Sequence, residues 1–239
     1  MSLPTQLWAS LVASPVLWLT VTLFVHQGAR WVCAHVHSPC INPVLISIAV
    51  VGTILIITKT PYDLYFDATR FLHFLLGPAT VALAVPLYDR VSKLRRLLGP
   101  ITVALLVGSL TAIVAAVGLG SLLGASEPTL RSLAPKSVTT AIAMGVSEQI
   151  RGIPPLTAVL VILTGIIGAS LAQPLLDILR IREPSARGFA IGVASHGIGT
   201  ARAFEMCEET GAFSGLGMGL NGILTALIIP ILARWLGWI

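Results

Sequence analysis

Within a run of small residues, ASHGIGTARAFE at 194–205, the chain sets Ser195, His196, Arg202 and Glu205. A serine beside a histidine raises the thought of a nucleophile and its base. The GxSxG elbow is absent, however, and adjacent side chains do not face one another, so no enzyme is expected here. Ser195 and Arg202 are seven apart, which puts them on one helical face. Two readings of Arg202 are open: a bidentate clamp on a carboxylate, or an ion pair with Glu205 three positions on. His196 likewise reads as a group that couples to protons near neutral pH, or as a buried, hydrogen-bonded ring.

A second cluster, APKSVTTAIA at 134–143, places Lys136, Ser137, Thr139 and Thr140 just after Pro135. Proline suits the first turn of a new helix and interrupts one running through it. A helix N-terminus, a lysine and hydroxyls together suit a small anion; the plainer reading of Lys136 is a side chain snorkelling from a helix end. LLGPAT at 75–80 repeats the motif without charge: Gly77 and Pro78 mark a bend and Thr80 offers a hydroxyl. Asn221, in GLNG, is a further uncharged candidate, or the cap of a glycine-rich turn. CAHVHSPC at 33–40 gathers Cys33, His35, His37 and Cys40, but its spacing fits no common zinc pattern and it reads as a loop. No metal or cofactor is expected.

The elements that hold these residues follow from composition. Of 239 residues 55% are hydrophobic and 10% charged, too few charges for a water-facing surface. Residues 7–25, 41–58, 97–126, 154–176 and 210–233 contain no Asp, Glu, Lys or Arg, and a bilayer core needs about 20 apolar helical residues. The expectation is an all-α polytopic membrane protein with about six transmembrane helices plus broken or re-entrant ones. Residues 1–29 lack Lys and Arg, so 7–25 reads as a crossing rather than a leader. The net charge of +5 collects in loops and points to topology, with no nucleic-acid partner implied.

Arg90, Lys93, Arg95 and Arg96 in one loop, and Arg180, Arg182 and Arg187 in another, should both be cytoplasmic. Residues 97–126 and 154–179 then cross out and back, so 127–152 must dip in from the outer side and return. LGPATVALAV (76–85) matches LAPKSVTTAI (133–142) at four positions, so 66–126 and 127–187 read as two units of an inverted repeat, an arrangement typical of secondary transporters. Residues 1–40 form an N-terminal helix and loop, and 188–239 glycine-rich C-terminal helices, within one membrane domain of 1–239. Gly197 and Gly199 mark a third break; whether 66–90 and 188–206 span or re-enter stays open.

LLGPATVALAVPLY (75–88), APKSVTTAIA (134–143), ASHGIGTARAFE (194–205) and GAFSGLGMGLNGI (211–223), in that order, resemble the LrgB/CidB family of bacterial membrane proteins. Ala141 departs from the proline expected in that family, which implies a straighter half-helix. The resemblance implies a bacterial cytoplasmic-membrane protein and two functions. One is antiholin-like control of murein hydrolase activity and lysis with a small LrgA/CidA-like companion. The other is transport of small monocarboxylates of the glycolate, glycerate or pyruvate class. Read from His196, a proton or other coupling ion is expected with it, and a homo-oligomer is expected as well. Together with the anion-binding chemistry above, the resemblance favours transport by alternating access, with substrate contacts from Thr80, Lys136, Ser137, Thr139, Ser195, His196, Arg202 and Asn221.

Overall fold

The structure, a computed structural model, describes residues 14–36, 43–83 and 85–239. Every regular element among them is helical, and the chain divides into two compact units, 1–82 and 83–239. Among the described residues three helices are long and apolar enough to cross a membrane: Val91–Leu122, Pro154–Ile178 and Glu208–Trp235. The protein is therefore an all-helical, multi-pass membrane protein.

In the N-terminal unit, α1 (Pro15–His35) and α2 (Pro43–Ile57) precede two helices, α3 (Tyr62–Ala68) and α4 (Arg70–Ala82). Trp18 is 1% exposed and packs with Ala68, Ile54 and Leu64. Its ring meets Tyr65 edge-on at 5.6 Å, and the Tyr65 hydroxyl shares a hydrogen bond with Thr22 at 3.0 Å. Gly77 and Pro78 do not break the helix: α4 runs through both and ends at Ala82. The missing proline N–H costs one intrahelical bond, which a helix in a membrane protein tolerates when neighbouring groups adjust. Of the expected first crossing at 7–25, residues 7–13 lie outside the described residues, as do 37–40 of the histidine–cysteine loop.

The C-terminal unit carries α5 (Val85–Tyr88), α6 (Val91–Leu122), α7 (Glu127–Leu133), α8 (Thr140–Gln149), α9 (Pro154–Ile178), α10 (Pro184–Met206) and α11 (Glu208–Trp235). Its helix directions can be read from the packing. Ile101 of α6 clusters with Phe189, Val193 and Phe213, and Ile113, twelve residues on, clusters with Val146, Ile150, Ile229 and Ala233. So α6 and α11 run the same way, from an end rich in Arg and Lys to the opposite end. α9 runs back: Thr157 near its start bonds to the Ser132 carbonyl at 3.1 Å, whereas Leu176 near its end packs on Ile191 and Ala203.

Two segments fail to cross. Residues 127–152 leave the opposite end as α7, lose helical form over 134–139 around Pro135, and return as α8. At the base of this hairpin Ser132, Ser147 and Thr157, each fully buried, are joined by hydroxyl bonds. Ser132 also accepts the Ile153 N–H at 2.7 Å.

The other segment is α10. His196 sits at φ 42, ψ −136, far from helical values, and splits it. Its first arm runs beside α11 in the same direction: Gly188 lies against the Thr210 carbonyl and Gly192 against that of Ser214, so close that no Cβ would fit. The second arm runs back, with Thr200 bonded to Ser214 at 2.9 Å and the Phe204 ring against Gly211. Residues 184–206 therefore dip from the basic end and return to it, which answers the alternative left open by the sequence. The reversal falls on His196 rather than on Gly197 or Gly199; Gly199 instead lets the two arms meet, since a Cβ there would come 2.9 Å from Ile191.

Candidate functional site

The two hairpins enter from opposite ends, and their tips meet at Asn221. Its amide donates to the Ser137 carbonyl at 3.3 Å, in the Pro135 break, and to the Val193 carbonyl at 3.0 Å, just before the His196 reversal. Its side-chain oxygen accepts from Ser109 of α6 at 2.5 Å and from Thr225, one turn along α11, at 3.4 Å. Asn221 is 1% exposed. An amide has two donors and one carbonyl oxygen to satisfy, and here all are used. Asn221 thus ties four segments together and has no hydrogen bond to spare for a solute.

α9 joins the same tips from the other side. The Val161 side chain packs on Val138 of the Pro135 break, and its carbonyl accepts a 2.9 Å hydrogen bond from Nε2 of His196. That bond fixes the protonated ring nitrogen and pins the tip of α10. His196 is buried, its ring lying over Gly165, and Ser195 fills the space that a Cβ on Gly168 would take. Glycines on α9 are what allow this side of the tip to seat. The His196 carbonyl accepts from Thr200 at 2.8 Å, so the reversal leaves its backbone oxygen bonded.

Lys136 is the one charge beside this centre. Its ammonium donates to Ser137 Oγ at 3.3 Å, and among the described residues no carboxylate pairs with it. It is half-buried and close enough to His196 to act on it electrostatically. Thr139 precedes the first turn of α8 and makes no side-chain capping bond there. Free helical N–H groups, a hydroxyl and an ammonium thus face one break, an arrangement that can hold a small anion.

Of the residues expected to act together, Lys136, Ser137, Thr139, Ser195, His196 and Asn221 gather around the two tips. Arg202 does not: it is exposed on the returning arm and bonds Glu205 at 2.7 Å, the second of its two sequence readings. The side chain of Thr80 lies outside the described residues. Ser109, Val161, Thr200 and Thr225 were not anticipated. No sequence signal singles Ser109 out, since Thr102 and Thr111 stand as further hydroxyls on the same apolar helix.

At the basic end the loops are bound by charge. Lys93 bonds Glu183 and, at 2.6 Å, Glu209, which also takes Arg90 at 3.1 Å; Arg187 lies 2.8 Å from Asp177. The Lys93 hydrogen bond, then one from Ser185, holds the exposed Glu183 carboxyl below its ordinary range.

Comparison with known proteins matches residues 22–235 to the model of the LrgB-like family. The chain is 35% identical over 218 residues to "Uncharacterized protein YwbG" of Bacillus subtilis, covering 91% of this chain and 97% of that one. It is 31% identical over 217 residues to "Holin-like protein CidB" of Staphylococcus epidermidis, 91% and 95% of the two chains. To "Antiholin-like protein LrgB" of Bacillus mycoides it is 32% identical over 176 residues, 74% and 76%. No solved structure matches.

Proposed function

The chain belongs to the LrgB-like family, and from that premise we propose that it works in a bacterial cytoplasmic membrane as a holin- or antiholin-like regulator of murein hydrolase activity and lysis. A small companion membrane protein completes the system. The observation that carries this reading is near full-length likeness to a protein named holin-like, with a second relative named antiholin-like. It is tested by autolysis rates in a host lacking the gene, with and without the companion, after complementation by wild type or by Asn221→Leu. A shift in lysis restored by wild type and not by the variant is expected. Lysis that is indifferent to the chain in every combination would end the reading.

A second reading, passage of a small monocarboxylate, is favoured by Lys136: a half-buried ammonium with no acidic partner, at the meeting point of opposed hairpins. Such a charge at membrane depth normally faces a cavity or a ligand. The substrate carboxylate would sit between Lys136 and the first N–H groups of α8, with Ser137 or Thr139 meeting a hydroxyl or keto oxygen. Arg202, held by Glu205 at the surface, drops out of this set. The inverted relation, set by sequence between 66–126 and 127–187, is better carried by 91–152 and 154–206. Each is a crossing followed by a hairpin, and α6 and α9 run in opposite directions. Uptake of labelled glycolate and pyruvate into proteoliposomes decides: saturable uptake lost in Lys136→Ala supports passage, and none in wild type, alone or with the companion, leaves regulation only.

A further inference from the structure

We propose that the 184–206 hairpin is a gate at the basic end of the C-terminal unit, hinged at His196 and latched by the ion pairs that join Lys93 and Arg90 to Glu183 and Glu209. The hairpin begins just after Glu183, and α11 begins at Glu208, immediately after the returning arm. Lys93, on α6, therefore bonds the start of the hairpin through Glu183 and the start of α11 through Glu209, the two elements that would part. Arg90 adds a second bond to Glu209.

Three features make this an element with two states rather than a fixed plug. The latch is soft on the hairpin's side: Lys93 is 36% and Glu183 57% exposed, so water and salt reach that pair, whereas Glu209, 15% exposed, anchors Lys93 and Arg90 to α11. The hinge is strained, because His196 holds a backbone conformation that non-glycine residues rarely adopt. The faces that would part meet largely at glycines. Gly188 and Gly192 meet the α11 backbone directly, and Gly217 meets the Phe189 carbonyl, so at these positions backbone slides on backbone, and Phe189, Val193 and the Phe204 ring are the side chains that must clear α11. The other hairpin differs at its base, which is closed by buried neutral hydroxyls; its own ion pair, Arg131 with Glu127, lies within α7, and its positive-φ residue, Arg151, lies beyond α8 rather than at the tip.

Thr200 reports the motion. It is 2% exposed and faces Ser214 across the seam, so a reagent from the basic side reaches it only when the hairpin leaves α11. In a full-length chain with Cys33, Cys40 and Cys207 replaced by serine, Thr200→Cys would be alkylated with a membrane-impermeant maleimide in liposomes. Ser147→Cys, in the other hairpin, serves as the control. Lys93→Gln should speed labelling at 200 about tenfold, Lys93→Arg should not, and neither should change position 147. Raising ionic strength should speed position 200 in the chain that keeps Lys93, which gives a readout even if Lys93→Gln fails to fold. Equal rates at 200 with and without the latch and at low and high salt would overturn the gate, as would equal acceleration at 200 and 147.

Discussion

At its base the 184–206 hairpin is tied to its neighbours by charge, through Lys93, Arg90, Glu183 and Glu209. The 127–152 hairpin is tied by Ser132, Ser147 and Thr157, all buried and neutral. The tips differ the other way round. The first of the two tips, after Pro135, carries the Lys136 ammonium, which has no carboxylate partner among the described residues, while the second is a reversal pinned by His196 to Val161. Exposed ion pairs can be screened and remade, whereas buried hydroxyl bonds hold unless both partners are replaced. One hairpin is thus built to move and the other to stay, and the residues that decide it lie at their bases.

The comparison is broken most completely at the point where the tips meet. Asn221→Leu leaves the Ser137 and Val193 carbonyls and the Ser109 hydroxyl without their partner. We expect a loss of about 2–4 kcal/mol in reversible unfolding in detergent, larger than for replacement of any latch residue. The glycines sharpen it next. An added Cβ at Gly192 collides with the Ser214 carbonyl, whereas at Gly145 in α8 it meets nothing within 4 Å. Gly192→Ala should therefore cost about 1–3 kcal/mol, while Gly145→Ala should be neutral or stabilising by up to about 1 kcal/mol. Equal effects would mean the seam is not close-packed.

The reversal itself gives a smaller effect. His196→Ala loses the bond to Val161 and keeps the left-handed strain; His196→Gly loses the bond and relieves the strain. The glycine variant should be the more stable of the two by about 1 kcal/mol, measured by thermal unfolding. The smallest effect is pH. Because Lys93 and Ser185 hold the Glu183 carboxyl below its usual range, its share of the latch is complete above the ordinary carboxylate value of about 4.3 and is lost only as pH falls through the depressed value. Labelling at Thr200→Cys, divided by that of a freely exposed cysteine to remove the thiolate's own pH dependence, should be flat from about pH 8 to about pH 5 and rise only in stronger acid.

Much of this was legible in the sequence, and what was not has physical causes. The dip at 127–152 followed from loop charge parity and from Pro135, a residue that cannot continue a helix unaided. The same reasoning over-reached at Pro78, because a proline removes one bond and a helix absorbs it when no other signal ends the helix there. The second hairpin carries no proline at its reversal. Beyond the glycines at 197 and 199, its mark was indirect: acids at 183 and 209 that pair with the bases at 90 and 93, a pairing that only folding reveals. Arg202 was ambiguous because an i,i+3 acid can claim it locally, and it does. Asn221 was recognised as polar and central, but counting its four bonds required coordinates.

The account rests on two hairpins that enter from opposite faces, and sidedness tests that most directly. Single cysteines at Ser126→Cys, Ile153→Cys, Arg182→Cys and the native Cys207, each in a background without the other cysteines, would be labelled with an impermeant reagent in oriented vesicles. Positions 126 and 153 should react from one side, and 182 and 207 from the other. If 126 and 153, or 182 and 207, react from opposite sides, that segment crosses the membrane, and the meeting of two tips at Asn221 is contradicted.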